Sequence, residues 1–295
     1  MSISIPLANS PLSELPFFDL DNQEFLRATG SWVHLSYNRI LESKDLFEDI
    51  IISPGDEENF HGQLSDNAIS NSKYYSIKQS GNLFHKAKQS RGFSLIHFNM
   101  RSLSKNLTLL EDFLVSLKSL PEVIAISETK LKDQNISNIS ISGYKFLNIN
   151  SKTSAGGVGL YIFNELQFIR RHDLEFCTND FESCWIEIER HKQKNIVIGT
   201  IYRHPSSDCN RFCGDLREQL SFLNNKEKEV FLLGDLNINL LNYSTDILTS
   251  EYLDTLFELG FMPLITKPTR VTDHTSTLID HIYTNVPQKT LNSGI

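Results

Sequence analysis

The apolar residues of this chain form two kinds of pattern that become regular in its last two-thirds. Between residues 106 and 120, apolar side chains occupy positions 107, 110, 113, 114 and 117, the spacing of an amphipathic helix, and Pro121 follows. Two further helical stripes occupy 211–223 and 249–259. Short apolar runs are typical of buried strands, and one of them begins at Val230. The others occupy 93–98, 122–127, 157–163, 184–188, 195–202 and 276–283. This mixture of strands and helices predicts an α/β domain with two sheets packed together.

Residues 1–90 differ in composition from the rest of the chain. They carry 7 Lys and Arg against 12 Asp and Glu, and their apolar clusters are short. The segment 53–59 is polar and turn-rich, which is typical of loops or disorder. The segments 14–20 and 25–47 predict either short helices or a docking segment. We therefore expect a poorly structured, largely irregular N-terminal extension over 1–90 and a folded domain over 91–295.

Bulk composition narrows the classes of function. The formal net charge of −8, from 28 Lys and Arg against 36 Asp and Glu, disfavours a protein that coats DNA through a basic face. It is compatible with a phosphodiester hydrolase, whose metal ligands are acidic. No apolar run reaches about 18 residues and no basic-then-apolar leader begins the chain, so we expect neither a membrane span nor a secretory signal. For Cys177, Cys184, Cys209 and Cys213, reduced thiols are the favoured interpretation and a zinc site is the alternative.

Several predicted strands end on polar residues suited to phosphate chemistry. Asp235 and Asn237 stand at positions i and i+2 after an apolar run, so in a strand both side chains leave the same face. A carboxylate and an amide held side by side can orient a water for attack on a phosphorus centre. Further strands end at Asn99, at Glu128, at the pair Tyr202 and Arg203, and at Asp280. Any one of these can instead satisfy loop backbone groups, and Gly-Asp-x-Asn is also a turn sequence, but five in order favour a catalytic site.

The ordered motifs resemble one enzyme superfamily. They are His97-Phe-Asn-Met-Arg-Ser-Leu103, Ser127-Glu-Thr-Lys-Leu131, Ala155-Gly-Gly-Val-Gly-Leu-Tyr161, Ile201-Tyr-Arg-His-Pro205, Gly234-Asp-Leu-Asn237, Pro268-Thr-Arg270 and Thr277-Leu-Ile-Asp280. Together they resemble the endonuclease/exonuclease/phosphatase superfamily. Within it they are most similar to the apurinic-type endonuclease domain of non-LTR (LINE-like) retrotransposons of the jockey or CR1 kind. The resemblance covers Phe93 to the C-terminus and does not extend to residues 1–90.

The resemblance implies a fold, a reaction and a cofactor. The fold is a four-layer α/β sandwich of two packed mixed sheets flanked by helices, and the reaction is cleavage of a DNA phosphodiester with Mg²⁺, or with Mn²⁺ as the alternative. Glu128 matches the metal-binding carboxylate, and Asn99 matches the neighbouring amide that helps to hold the metal site. Because magnesium prefers oxygen ligands and keeps several waters, one firm protein carboxylate is chemically sufficient.

The same resemblance implies roles for the other strand-end residues. Asp235 matches the residue that orients or deprotonates the attacking water, and Asn237 matches one that contacts the phosphate. Tyr202 matches a phenol near the scissile phosphate, where it stabilises developing negative charge. Arg203 is the retrotransposon-like addition and is expected to clamp a phosphate. Asp280 matches the carboxylate that orients a catalytic histidine.

The resemblance also implies that this histidine comes from a Ser-Asp-His segment beyond Asp280, and the sequence given ends at Ile295 without one. His281 is not expected to replace it, because adjacent strand residues point to opposite faces; among the other histidines, His204 is the strongest alternative. We therefore expect the sandwich to lack its last strand or strands and to expose an unpaired sheet edge. We also expect weak or absent activity, because one acid–base group is worth about 10² to 10⁴-fold in rate.

Three hypotheses for function follow from these observations. The first is a retrotransposon-type DNA endonuclease that nicks target DNA inside the cell, in the nucleus, with a reverse transcriptase on the same polypeptide in a complete element. The second is a non-catalytic product of a truncated or decayed open reading frame that binds metal or nucleic acid. The third keeps the fold but cleaves RNA or phospholipid, and the motifs around Tyr202 and Arg270 favour DNA over it. The sequence leaves the cleavage-site preference and the oligomeric state open.

Overall fold

The computed structural model describes residues 72–89, 92–132, 138–272 and 274–295, without the side chain of Asn225, together with the backbone of residues 29–35. The helices or docking segment expected over 14–20 and 25–47 lie outside these residues, apart from 29–35. The loop expected over 53–59 also lies outside them.

Fifteen strands and four α-helices lie in the described part of the chain. The strands are β1 (Thr29–Leu35), β2 (Phe93–Asn99), β3 (Val123–Ser127), β4 (Tyr144–Ile149), β5 (Val158–Phe163), β6 (Ile169–Arg170), β7 (Phe176–Cys177), β8 (Phe181–Ile188), β9 (Ile196–Arg203), β10 (Glu229–Asp235), β11 (Met262–Pro263), β12 (Arg270–Val271), β13 (Ser276–Thr277), β14 (Asp280–Thr284) and β15 (Thr290–Gly294). The helices are α1 (Ile77–Gln89), α2 (Leu103–Ser116), α3 (Cys209–Asn225) and α4 (Ile247–Glu258). The three helices expected from apolar stripes are α2, α3 and α4, each with ends shifted by a few residues, and α1 is an addition.

The first sheet has six strands in the order β15-β1-β2-β3-β5-β4. Strands β2 and β3 run parallel because α2 carries the chain back along the sheet between them, and the other neighbouring pairs are antiparallel. The parallel register sets Asn99 beside Ser127. The residues that follow β2 and β3 therefore emerge at the same end of the sheet.

The second sheet has the order β11-β14-β10-β9-β8-β6, with β7 paired to β8. Its one parallel pair is β9 with β10, which are joined through α3. Their register sets Tyr202 beside Asp235, so the carboxyl ends of these two strands also meet.

The two sheets pack face to face, and helices cover both outer faces, which gives the four-layer sandwich expected from the resemblance. The layer between the sheets contains Leu95, Ala125 and Leu160 from one side and Ile198 and Leu233 from the other. Outside it, α1 and α2 cover the first sheet, while α3 and α4 cover the second. Because both faces of each sheet are buried, strands such as β3 and β9 are apolar along most of their length instead of alternating.

The described residues of the N-terminal region add two elements to the sandwich. Strand β1 pairs antiparallel with β2 on one edge and with β15 on the other, so β2 has no exposed edge on that side. Helix α1 buries Phe84 and Ala87 against the first sheet. Residues 29–35 and helix α1, from the region expected to be largely irregular, thus contribute a strand and a helix to the sandwich. Strand β1 occupies the position beside β2, and β15 is the outer strand on that side of the sheet.

The remaining global features agree with the sequence. The four cysteines are free, as the thiol interpretation expected. In the described ranges the longest helix is α3, with 17 residues, and none of the helices there combines the length and the hydropathy that a bilayer span needs.

Candidate active site

The carboxyl ends of the second sheet place four polar residues in one row. The strand register sets Glu182 opposite Tyr202, Tyr202 opposite Asp235, and Asp235 opposite Asp280. Partners in a ladder point to the same face of a sheet, so all four side chains point toward the first sheet. Three carboxyl groups and one phenol thus line one end of the inter-sheet space.

The first sheet completes this cleft through Asn99 at the end of β2 and Glu128 just after β3. The Asn99 side-chain nitrogen donates to Glu128 Oε1 at 2.9 Å and to Asp235 Oδ2 at 2.5 Å. Because both distances start from one nitrogen atom, the two carboxylate oxygens are at most 5.4 Å apart, the sum of the two. Residues that are 136 positions apart in sequence therefore meet within the span of one hydrated cation.

The local backbone that presents these groups is unusual in two places. Glu128 has φ of 51°, a left-handed conformation that sharply turns the chain after β3. Gly234 has φ of 155°, and a Cβ atom there would overlap the carbonyl oxygen of Ile201 on β9. Only glycine therefore allows β9 and β10 to approach closely enough to set Tyr202 beside Asp235.

Glu128 is held in its charged form. Burial acts to raise the pKa of Glu128, but hydrogen bonds from Asn99 and Lys130, together with the Lys130 charge, outweigh burial and lower this pKa below its ordinary value. Lys130 Nζ lies 2.9 Å from Glu128 Oε2, and the Glu128 side chain keeps 16% of its surface exposed. An ionised, partly accessible carboxylate of this kind is suited to bind a cation.

The pKa of Asp235 is shifted in the opposite direction. Burial raises the pKa of Asp235 well above its ordinary value, and the charges of Asp280 and Glu128 raise it further. Arg270, with Nη2 at 3.6 Å from Oδ2, and the backbone N–H of Asn237, at 3.1 Å from Oδ1, act against these effects without cancelling them. The folded cleft therefore favours the protonated form of Asp235 more than water does, and burial is the main cause.

Asn237 links Asp235 to Tyr202. Its backbone N–H donates to Asp235, and its side-chain nitrogen donates to the carbonyl oxygen of Arg203 at 2.7 Å. The pKa of the Tyr202 hydroxyl is raised by burial and then by the charges of Glu128, Asp235 and Glu182, and a side-chain hydrogen bond with Asn237 opposes this rise. The phenol thus remains protonated and can donate a hydrogen bond into the cleft.

Asp280 is fixed by Thr269 and faces a buried histidine. Thr269 Oγ1 donates to Asp280 Oδ2 at 2.8 Å, and His97 Nδ1 lies 3.9 Å from Asp280 Oδ1. Burial lowers the pKa of His97 to about 3, so its imidazole is neutral, and its Nε2 pairs with Ser127 at 3.0 Å. His281 faces away from the cleft toward Tyr252, at 3.3 Å, which confirms the expectation from strand alternation.

The structure does not support the phosphate-clamp role expected for Arg203. This residue is 4% exposed, and its guanidinium donates to the carbonyl oxygens of Leu236, Asn237 and Ser207 at 3.4, 3.4 and 2.6 Å. The reason is strand alternation: Tyr202 faces the cleft, so Arg203 faces the helices behind the sheet. Arg203 therefore supports the loop that carries Asn237, and Arg270 is the arginine that faces the carboxylates.

Sequence reasoning missed Glu182, which is the partner of His204, the histidine named above as the strongest alternative. Glu182 is fully buried, accepts from Ser151 Oγ at 2.5 Å, and lies 2.9 Å from His204 Nε2. The His204 and Tyr202 rings are in edge contact, with centroids 5.0 Å apart. Gly156, with φ of 100°, packs on all three residues, and a Cβ atom there would come within 3.0 Å of each. Glycine is therefore needed at position 156 to let the loop that carries it pack on these side chains. The Gly-Gly motif was the feature of the sequence that could have indicated this close packing.

The donor set fits a single hydrated divalent cation. Glu128 offers an ionised carboxylate, Asp235 offers a second carboxyl group nearby, and a bound cation would favour the ionised form of Asp235. Within the described ranges no three His, Cys, Asp or Glu side chains form a metal-binding group. Oxygen donors such as these carboxyl groups are the kind that Mg²⁺ uses, because it is commonly held by one or two carboxylates and keeps several waters.

A two-sheet sandwich with an acidic cleft at the strand ends defines a class of phosphoester hydrolases. Within that class, a model of the Endonuclease/Exonuclease/phosphatase family matches residues 96–295, and the chain belongs to this family. The match begins inside β2, so β1, residues 72–75 and α1 lie outside it.

Three solved structures illustrate the similarity of fold. The endonuclease domain of TRAS1, a telomere-specific non-LTR retrotransposon, is 17% identical, with 64% of this chain and 83% of that chain covered and a TM-score of 0.47. The Xenopus laevis APE2 catalytic domain is 14% identical (66% and 83% covered, TM-score 0.49), and an AP endonuclease from Archaeoglobus fulgidus is 16% identical (65% and 86% covered, TM-score 0.45). These values carry no information about the substrate of this chain. A comparison with curated proteins found no match.

Proposed function

We propose that this chain is a Mg²⁺-dependent phosphodiester hydrolase of the retrotransposon endonuclease type, and that its substrate is DNA. The observation that carries the proposal is the Asn99 side chain, which joins Glu128 from one sheet to Asp235 from the other. A surface loop does not need such a contact, whereas a site that must hold two carboxylates around one cation does.

Glu128 and Asp235 are the residues that would hold the cation, with Asn99 fixing both side chains. The bound cation would supply charge stabilisation to the phosphate in the transition state. Lys130 would then be displaced or shared, because it now occupies the exposed oxygen of Glu128.

Asp235 is the proposed base for the attacking water. Its two oxygens are held by Asn99 and by the Asn237 backbone, so the carboxylate has one orientation. Without a cation the pKa of Asp235 is raised, and a bound cation would favour the ionised form, which is the form that accepts a proton from water. The rate should accordingly rise with pH as Asp235 loses its proton.

Tyr202 and Arg270 are the proposed donors to the phosphate. Tyr202 keeps its proton and lies beside Asp235 in the strand register, so it can donate to a phosphate oxygen as negative charge develops. Arg270 keeps 32% of its side chain exposed at the edge of the same cleft, which suits a contact with the DNA backbone.

A second candidate function is non-catalytic binding of metal or nucleic acid. The observation that favours it concerns Asp280, which the resemblance pairs with a catalytic histidine. Among the described residues, the histidine that faces Asp280 is His97, and it is neutral, buried and bound to Ser127. We therefore expect the polypeptide of residues 1–295 to nick DNA weakly.

Plasmid nicking tests the proposal directly. The full chain is incubated with supercoiled plasmid and Mg²⁺, Mn²⁺ or EDTA, and compared with Glu128→Ala, Asp235→Ala and the exposed control Glu165→Ala. We expect metal-dependent nicking that the first two substitutions reduce by about 10² to 10⁴-fold and that the control leaves unchanged. Equal nicking by all four proteins would refute the assignment. Parallel assays on RNA and on phosphoinositide vesicles decide between substrates.

Two further experiments test the finer parts of the proposal. Adding a Ser-Asp-His segment after Ile295 should raise the rate, and equal activity with and without it would refute the expected catalytic deficit. Genomic sequence beyond the codon for Ile295 tests the proposed context, in which a reverse transcriptase follows on the same polypeptide and the enzyme acts in the nucleus.

A further inference from the structure

A segment upstream of the family match reaches the candidate active site. Residues 72–75, here called the upstream segment, lie between the described strand β1 and helix α1. The family match begins at residue 96, so this segment is not part of the shared domain. Its side chains contact residues 266–270, here called the arginine loop, about 190 positions further along the chain.

Ser72 and Tyr74 join the upstream segment to the arginine loop through three polar contacts. Ser72 Oγ accepts from the backbone N–H of Thr266 at 3.0 Å and lies 3.0 Å from the Thr266 hydroxyl. The Tyr74 hydroxyl donates to the carbonyl oxygen of Pro268 at 3.0 Å. The Tyr74 ring packs against the inter-sheet core, and the Lys267 ammonium lies 5.5 Å from the centre of that ring.

The far end of the arginine loop contacts the cleft within the next two residues. Thr269 donates to Asp280, and Arg270 lies 3.6 Å from Asp235. The backbone N–H of Thr269 donates to the carbonyl oxygen of Thr277 at 2.9 Å. This hydrogen bond extends the pairing of the short strands β12 and β13. The contacts at residues 266 and 268 thus immediately precede the residues that face the two carboxylates.

The upstream segment is itself anchored to the last strand. Lys73 forms a parallel bridge with Gly294, the Ile295 N–H donates to the Lys73 carbonyl at 2.9 Å, and the Tyr75 N–H donates to the Ile295 carbonyl at 2.8 Å. The backbone of the upstream segment is therefore bonded to the last strand, and its side chains can hold the arginine loop in place.

We propose that the upstream segment is a positioning element of the active site, which fixes the arginine loop so that Arg270 faces Asp235 and Thr269 faces Asp280. Ser72 and Tyr74 act through the loop and do not touch substrate. The effect on DNA cleavage rests on the proposed function, whereas the effect on the loop itself does not. A domain that begins at residue 91 or 96 would lack this support.

Hydrogen exchange in the full chain tests the proposal without any activity. The test protein carries Ser72→Ala with Tyr74→Phe, which removes the two hydroxyl groups that contact the loop. The matched control carries Ser76→Ala with Tyr75→Phe, which also removes one serine hydroxyl and one tyrosine hydroxyl, at neighbouring positions in the chain. The Ser76 hydroxyl caps α1 with Gln79, and the Tyr75 ring lies near Gly294, so the control does not alter the loop contacts.

The decisive amide is that of Thr269, which bonds Thr277 and not the mutated residues. We expect its exchange to be about tenfold faster or more in the test protein and unchanged in the control, relative to the core amide of Leu232. The Michaelis constant for plasmid nicking should rise severalfold in the test protein only. Unchanged Thr269 exchange, or an equal increase at Leu232, would overturn the proposal. If the wild-type chain does not nick, the proposed function fails while the exchange result still decides the role of the upstream segment.

Discussion

Replacing Asp280 by asparagine should lower the pKa of Asp235, because the two carboxyl groups face each other across β10 and β14. Cross-strand partners have Cβ atoms about 5 Å apart, and two unit charges at that distance repel by about 3 kcal/mol at an effective dielectric constant near 20. The pKa of Asp235 should therefore fall when Asp280 is neutralised, although burial still keeps it raised. The amide oxygen that the substitution introduces can still accept the hydrogen bond from Thr269, so the change removes charge and little else.

The substitution should also change how stability depends on pH. Because burial and Asp280 raise the pKa of Asp235 in the folded chain above its unfolded value of about 3.9, the folded state binds more protons between those two pKa values. The free energy of unfolding contributed by this group therefore falls as pH rises. Asp280→Asn should restore part of the free energy of unfolding that is lost as pH rises, by up to about 3 kcal/mol at neutral pH. Below about pH 4 the substitution should have no such effect.

Carbon-13 NMR titration of the side-chain carboxyl groups measures the first effect, and urea unfolding at several pH values measures the second. Both are performed on metal-free full chain with EDTA, and Asp235 is assigned by its loss in Asp235→Asn. Asp254→Asn, on the exposed side of α4, is the control and should leave the Asp235 titration unchanged. A shift of less than about half a pKa unit in Asp280→Asn would refute the electrostatic account of this pair.

Three further substitutions test other parts of the site by urea unfolding. Gly234→Ala should lower the free energy of unfolding by about 3 kcal/mol or more, while Gly214→Ala, where a Cβ atom meets nothing within 4 Å, should be neutral or stabilising. Arg203→Gln should lower it by about 2 to 4 kcal/mol, because one side-chain amide group cannot bond three carbonyl groups, and this loss of charge should leave the salt dependence of DNA binding unchanged; a reduced salt slope would restore the phosphate-clamp role. Glu182→Ala should lower it by about 3 to 5 kcal/mol, since His204 then loses its buried partner, and a change below about 1 kcal/mol would contradict the importance of this pair.

The positions of the site residues at strand ends could be predicted because they depend on local rules. A buried apolar run predicts a strand, and the polar residue that follows it must leave the core. This is sufficient for Asn99, Glu128 and Asp235. Strand alternation correctly predicted that His281 faces away from the cleft. The same rule predicts that Arg203 faces away, because Arg203 is adjacent to Tyr202. Arg203 could therefore have been assigned correctly from sequence, and the family resemblance led away from that assignment.

Other parts of the site depend on register between distant strands, which no local pattern encodes. Glu182 is part of the cleft only because β8 pairs with β9 so that it stands opposite Tyr202. Strand β1 could not be predicted either. Its seven residues lie in a region whose composition is otherwise typical of loops, and its partners include residues about 260 positions away. A short strand of this kind is determined by the free backbone edges beside it and not by its own sequence.

The pairing of β1 with β15 has a consequence for the order in which the chain folds. Strand β1 can pair with β2 early during synthesis, but its other edge has no partner until residues 290–294 have left the ribosome. Contacts of such long sequence separation form late, because closing the loop between them is entropically unfavourable. The nascent protein should therefore carry an open edge at β1 for most of its translation, and this interval is when it is most exposed to aggregation or to binding by chaperones.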